Sequence, residues 1–139
     1  MYKRQTWNSA TQVTAVVTVA ANATVGARDV TVTNPDAGFG TGTGKFTVNV
    51  APTIGTISPT SQTRNTSGVV VTINGTGFVA GATVSFGGSN LPTITNTTFV
   101  TNIKMTVTLT VPNSANTWSM TVTNPDGGTI TKANAYSST

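Results

Sequence analysis

Apolar and polar side chains alternate with a period of two along most of this chain. In Met105-Thr-Val107-Thr-Leu109-Thr-Val111 four apolar side chains fall on one face, and Thr106, Thr108 and Thr110 fall on the other. Successive side chains of an extended chain point to opposite faces, so this pattern predicts a strand with one buried and one solvated face. Val69–Ile73, Trp118–Val122 and Phe46–Val50 follow the same rule. No window shows helical spacing, and Gly, Asn, Thr and Val are poor helix formers. Turn-forming clusters separate the runs: Asn-Pro-Asp at 34–36 and 124–126, Gly87-Gly88 and Gly127-Gly128. Short strands at this spacing predict an all-β antiparallel sandwich. Its predicted core is Ile54, Ile57, Val69, Val71, Ile73, Phe78, Val84, Phe86, Val107, Leu109, Val111, Met120 and Val122, with Trp118 in the inward phase of its strand.

An internal repeat sets the organisation. Thr31-Val-Thr-Asn34-Pro35-Asp36 recurs verbatim as Thr121-Val-Thr-Asn124-Pro125-Asp126, ninety residues later. Upstream of each copy lies an alternating strand, Val13–Val19 matching Val107–Val111. After the first copy come Gly40-Thr-Gly-Thr-Gly44 and the strand Lys45–Val50, and Ala51-Pro52 opens a new unit. Residues 51–139 have the usual size of a seven-stranded sandwich. Residues 1–50 hold only what corresponds to its last three strands, too few to bury two inner faces. The chain therefore divides into 6–50, the C-terminal half of a truncated repeat, and 51–139, a complete one. Residues 1–5 stand apart. Tyr2-Lys3-Arg4-Gln5 is what TAT AAG AGA CAG encodes, and that string resembles the end of a transposase adaptor used in sequencing libraries. The alternatives are an adaptor-derived segment at 1–5, with the natural protein continuing upstream, and an ordinary basic N-terminus.

The ordered motifs resemble an IPT/TIG domain, the Ig-like fold of plexins, Rel-type transcription factors and many bacterial surface proteins. Pro52-Thr-Ile54-Gly-Thr-Ile57-Ser58-Pro59 is similar to the family's opening strand. Val71-Thr-Ile73-Asn-Gly75-Thr-Gly77-Phe78 is similar to its apolar strand followed by Gly-x-Gly-Phe. Gly81-Ala-Thr-Val84-Ser-Phe86-Gly87-Gly88 is similar to its third strand and turn, and the Asn-Pro-Asp-Gly segment to its penultimate strand and turn. The likeness covers 51–139 fully and 13–50 in part. The last strand, Ile130–Ser137, is more polar than the family's pattern. The resemblance implies an Ig-like antiparallel β-sandwich, one complete domain preceded by the C-terminal half of another. It carries a fold more than a function. Prokaryotic members of this kind imply tandem spacer or adhesion repeats, or modules beside the catalytic domains of secreted carbohydrate-active enzymes.

Composition narrows the chemistry. The chain has no Cys, no His and no Glu, and its only carboxylates are Asp29, Asp36 and Asp126. Thiol and imidazole nucleophiles, histidine bases and thiolate or imidazole metal sites are excluded, as is a disulfide framework. Threonine supplies 32 of the 139 residues, so strands are solvated by hydroxyls rather than charges. The net charge is +4, or +2 with Lys3 and Arg4 set aside. Arg28, Lys45, Arg64, Lys104 and Lys132 are scattered singly, whereas nucleic-acid binders gather cations into a patch. No apolar run is long enough to cross a membrane, and residues 1–10 lack the apolar region of a secretory leader.

Five features invite a functional reading. Asp36 and Asp126 sit in Asn-Pro-Asp turns. Calcium takes six or more oxygens, usually with several carboxylates, so a type I turn is the better reading. Gly75-Thr-Gly77-Phe78 lacks the third glycine and following helix of a phosphate loop, and reads as a bend with Phe78 turned inward. The rows Thr106, Thr108, Thr110 and Thr121, Thr123 read as β-propensity on a wet face rather than as an ice or glycan lattice. Sugar sites need exposed aromatics, and the candidates are Trp7, Trp118, Tyr2, Tyr136 and five Phe. Asn22, Asn65, Asn74 and Asn96 begin Asn-x-Ser/Thr matches that a threonine-rich chain produces by chance.

The expectation is a chain with no catalytic, cofactor or metal residues. It is read as a structural spacer or adhesion repeat of a large cell-surface or secreted prokaryotic protein, located outside the cell. A short Pro-containing connector, Val50-Ala51-Pro52, would join it head to tail to neighbouring Ig-like repeats. A surface protein or glycan is the further partner class, with no nucleic acid and no membrane insertion. The alternative is an accessory module of a secreted carbohydrate-active enzyme with weak glycan contact.

Overall fold

The computed structural model describes residues 3–20 and 22–139. Among them the chain is all β, with twelve strands and no helix. It divides into two compact units, Met1–Val50 and Ala51–Thr139.

The first unit consists of two antiparallel hairpins: β1 (Lys3–Ser9) with β2 (Gln12–Val17), and β3 (Gly26–Thr33) with β4 (Phe39–Val48). Four strands stand where the sequence pattern indicates three. The additional one, β1, carries Arg4, Gln5, Thr6 and Trp7 and shows no apolar alternation. It is held by backbone pairing with β2, from Arg4↔Val16 to Trp7↔Val13. Backbone ladders form whatever the side chains are, which is why this strand leaves no mark in the hydropathy pattern. Met1 and Tyr2 lie outside the described residues, so the adaptor reading of 1–5 and the aromatic candidate Tyr2 fall wholly or partly there.

The second unit holds β5 (Thr53–Ser58), β6 (Ser61–Gln62), β7 (Val69–Thr76), β8 (Thr83–Gly87), β9 (Thr93–Thr101), β10 (Lys104–Thr110), β11 (Asn116–Thr123) and β12 (Thr129–Ser138). They form two four-stranded sheets, ordered β5-β7-β10-β9 and β6-β12-β11-β8. All pairings are antiparallel except that of β12 with the two-residue β6. Both sheets contribute their inward residues to one core, as in a β-sandwich. The alternation of 105–111 is realised residue by residue, with Met105, Val107, Leu109 and Val111 fully buried.

Eleven of the thirteen predicted core residues are buried, and Ile54 and Val69 are half-buried against them. Trp118 is fully buried, as its phase requires. Alternation misses Ala135 and Tyr136, adjacent residues that are both buried. The cause is a bulge. Trp118 pairs with Tyr136 but Met120 with Lys132, so the β12 side carries two extra residues. Asn134 takes a positive φ of 50° there. Two extra residues keep the inside–outside phase, so Tyr136 stays in phase with Ile130, and Ala135 is buried out of phase beside it.

Candidate functional site

Each Asn-Pro-Asp turn is built the same way. The amide of Gly127 donates to the carbonyl of Asn124 (3.0 Å) and that of Asn124 to the carbonyl of Gly128 (2.8 Å). Oδ1 of Asp126 accepts the Gly128 amide at 2.9 Å. In the first copy the Ala37 amide donates to Asn34 (3.0 Å), the Asn34 amide to Gly38 (2.8 Å), and Asp36 Oδ1 accepts the Gly38 amide (3.0 Å). These are turn bonds, with Pro presetting φ at the second position. Asp29 accepts the Gly44 amide at 2.8 Å. Among the described residues no three Asp, Glu, His or Cys side chains gather.

The side chain of Asn124 has a larger part than a turn bond, which sequence reasoning did not find. It is 2% exposed. Its Nδ2 donates to the carbonyl of Gly77 (2.7 Å) and its Oδ1 accepts the amide of Val79 (3.2 Å). One side chain thus pins the β11–β12 turn in one sheet to the β7–β8 connection. The repeated turn sequence does not signal this role, since Asn34, in the verbatim copy, has an exposed side chain.

Gly75-Thr-Gly77-Phe78 is the inward bend it was read as. Gly77 has φ 71° and Phe78 is 2% exposed. A Cβ on Gly75 would lie 1.9 Å from the carbonyl oxygen of Thr53 and 2.7 Å from the Phe78 ring, so only glycine fits. In the second threonine row the hydroxyls face partners within the sheet: Thr121 bonds Thr131 (2.7 Å), and Thr123 is 3.5 Å from Thr129.

The aromatics divide sharply. Trp118 donates its indole N–H to the carbonyl of Ser89 (2.8 Å) and stacks on Tyr136, their ring centroids 6.3 Å apart. Phe86 closes this cluster, 6.0 Å from Tyr136. The Tyr136 hydroxyl is buried without a partner, and burial pushes its pKa up. Among the described residues Trp7 and Phe39 are the exposed aromatics, at 72% and 76%.

The two hairpins of the first unit repeat the strand pairings of β9 with β10 and of β11 with β12. They flank a groove of about 1170 Å³, floored by Val13, Val17, Val30, Val32, Phe46 and Val48 among others. The pairs Thr31↔Thr41, Val32↔Gly40 and Arg28↔Phe46 correspond, ninety residues on, to Thr121↔Thr131, Val122↔Ile130 and Trp118↔Tyr136. The bulge recurs as well, with Val30 pairing with Gly42. Trp7↔Val13 corresponds to Phe99↔Met105, and Ser9↔Gln12 to Thr101↔Lys104. Val13–Val19 thus matches Met105–Val111 rather than Val107–Val111. No family model matches the sequence, and no curated protein matches it.

Proposed function

We propose that the chain is a non-catalytic spacer or adhesion repeat of IPT/TIG type, an Ig-like module from a large cell-surface or secreted prokaryotic protein. The observation that carries this reading is the repeat itself. Twenty-three residues, 26–48, share strand register, bulge and turn bonds with 116–138. A β-sandwich reused along one chain serves to set distance and to present neighbours, because its hydrogen-bonding groups are absorbed in the scaffold. Its partners in this reading are neighbouring repeats of the same parent chain. The complete coding sequence on either side of this region tests the proposal. Further copies of the ninety-residue pattern support it, and a flanking catalytic domain with paired carboxylates replaces it with the accessory-module reading. Glycan contact in that second reading would rest on Trp7 and Phe39, since Trp118 and Tyr136 are enclosed.

A further inference from the structure

We propose that the groove of the first unit is a strand-acceptor site, and that its occupant is a polypeptide half-repeat of the kind formed here by Thr53–Gly87. The strand equivalent to β7 would add to the free edge of β2, and the strand equivalent to β8 to the free edge of β3. The inference rests on the repeat geometry and not on the spacer reading, so the two fail independently.

Three observations converge on this occupant. The first is edge pairing. In the second unit β10 is flanked by β9 and β7, and β11 by β12 and β8. Among the described residues their counterparts β2 and β3 each have one neighbour, β1 and β4, and so present an unpaired row of amides and carbonyls. The second is the apolar face. Val13, Val17, Val30 and Val32 are 37–49% exposed, whereas their counterparts Met105, Leu109, Met120 and Val122 are fully buried. The cover that buries the latter includes Val71 and Ile73 of β7 and Val84 and Phe86 of β8. Val, Ile and Phe in strand phase are therefore the complement this groove is patterned for.

The third is a polar reader. Asn34 stands where Asn124 stands, in the same turn, facing the groove, with its side chain exposed. Asn124 holds the backbone of the Gly77–Val79 segment by one donated and one accepted bond. Asn34 offers the same donor and acceptor to a Gly-x-Gly-Phe connection. One position departs from the template. Arg28 replaces Trp118: Trp118 donates to the distant carbonyl of Ser89, whereas Arg28 donates to the carbonyls of its neighbours Ala27, in β3, and Thr24.

The test uses the whole 139-residue chain, isotope-labelled, titrated with an unlabelled polypeptide of residues 51–90, which contains no Trp. Saturable one-to-one binding is expected, with amide exchange in β2 and β3 slowed at least about tenfold and a blue shift from Trp7, the exposed tryptophan. Asn34→Ala is expected to weaken binding about tenfold, the cost of two lost hydrogen bonds to backbone. A probe carrying Ile73→Asp is expected not to bind. The proposal is overturned if β2 and β3 exchange as fast with the probe as without it. It is equally overturned if the chain alone is a dimer whose β2 and β3 amides are already protected, since the occupant is then a second copy. Unchanged affinity in Asn34→Ala together with binding of the Ile73→Asp probe would reduce the event to unspecific adhesion and also overturn it.

Discussion

Two residues at the same place in the two turns differ in one atom group, and this isolates a backbone effect. Gly127 has φ 86° and a Cβ there would meet nothing within 4 Å. Its counterpart Ala37 has φ 68° and bears the Cβ that this region of φ disfavours. Gly127→Ala should therefore cost the second unit about 1 kcal/mol in denaturant unfolding. Ala37→Gly should slow amide exchange at Asn34 and Ala37 by relieving the same strain. Tyr136 supplies a second residue-scale prediction. Its folded pKa lies above the ordinary value of 10.0 because burial disfavours the phenolate. Stability from this group is complete below pH 10 and is lost as pH rises from there through the raised folded pKa, because the unfolded chain ionises first. Tyr136→Phe should remove that part of the alkaline loss. It should also leave neutral-pH stability equal or higher by about 1 kcal/mol, since the hydroxyl it deletes is buried and unpaired. The first unit already carries Phe46 at this position.

At the scale of the element, Asn124 determines whether a turn is local or structural. Removing its side chain takes their partner from the Gly77 carbonyl and the Val79 amide, both in half-buried residues. Asn124→Ala should thus cost about 2–3 kcal/mol in thermal or denaturant unfolding. Asn34→Ala, in the same sequence but with an exposed side chain, should change the stability of the chain alone by less than about 0.5 kcal/mol. This contrast also marks what could be read in advance. The strands β7, β10 and β11 were legible because Val71, Ile73, Val107, Leu109, Met120 and Val122 alternate without interruption. The turns were legible because Pro and Gly occupy positions whose φ they satisfy. By contrast β1, carrying Arg4 to Trp7, is defined by its partner's backbone, and the Tyr136 bulge by an extra pair of residues that no period of two encodes. The cross-sheet part of Asn124 was hidden because a hydrogen bond over 47 positions leaves no local pattern.

For the whole molecule, the same sequence motif lives in two different solvents. Val122 and Val32 occupy equivalent positions in verbatim copies of Thr-Val-Thr-Asn-Pro-Asp, yet Val122 is fully buried and Val32 is 49% exposed. Apolar burial stabilises in proportion to the area withdrawn from water, and deleting buried methyls also leaves a cavity. Val122→Ala should therefore cost about 2–3 kcal/mol and Val32→Ala less than about 0.5 kcal/mol, both measured by denaturant unfolding of the intact chain. The sandwich of the second unit has a core of sixteen buried apolar residues and should unfold in one cooperative step. The described part of the first unit contributes none of these sixteen, so its ladders should exchange amides by local opening long before the global transition. The asymmetry between the two valines is a property of what covers them and not of the residues or their strands. Filling the groove with the 51–90 polypeptide should consequently raise the cost of Val32→Ala toward that of Val122→Ala, read as weaker binding by roughly tenfold or more. Equal costs for the two substitutions in the chain alone would mean that the first unit already holds a closed core.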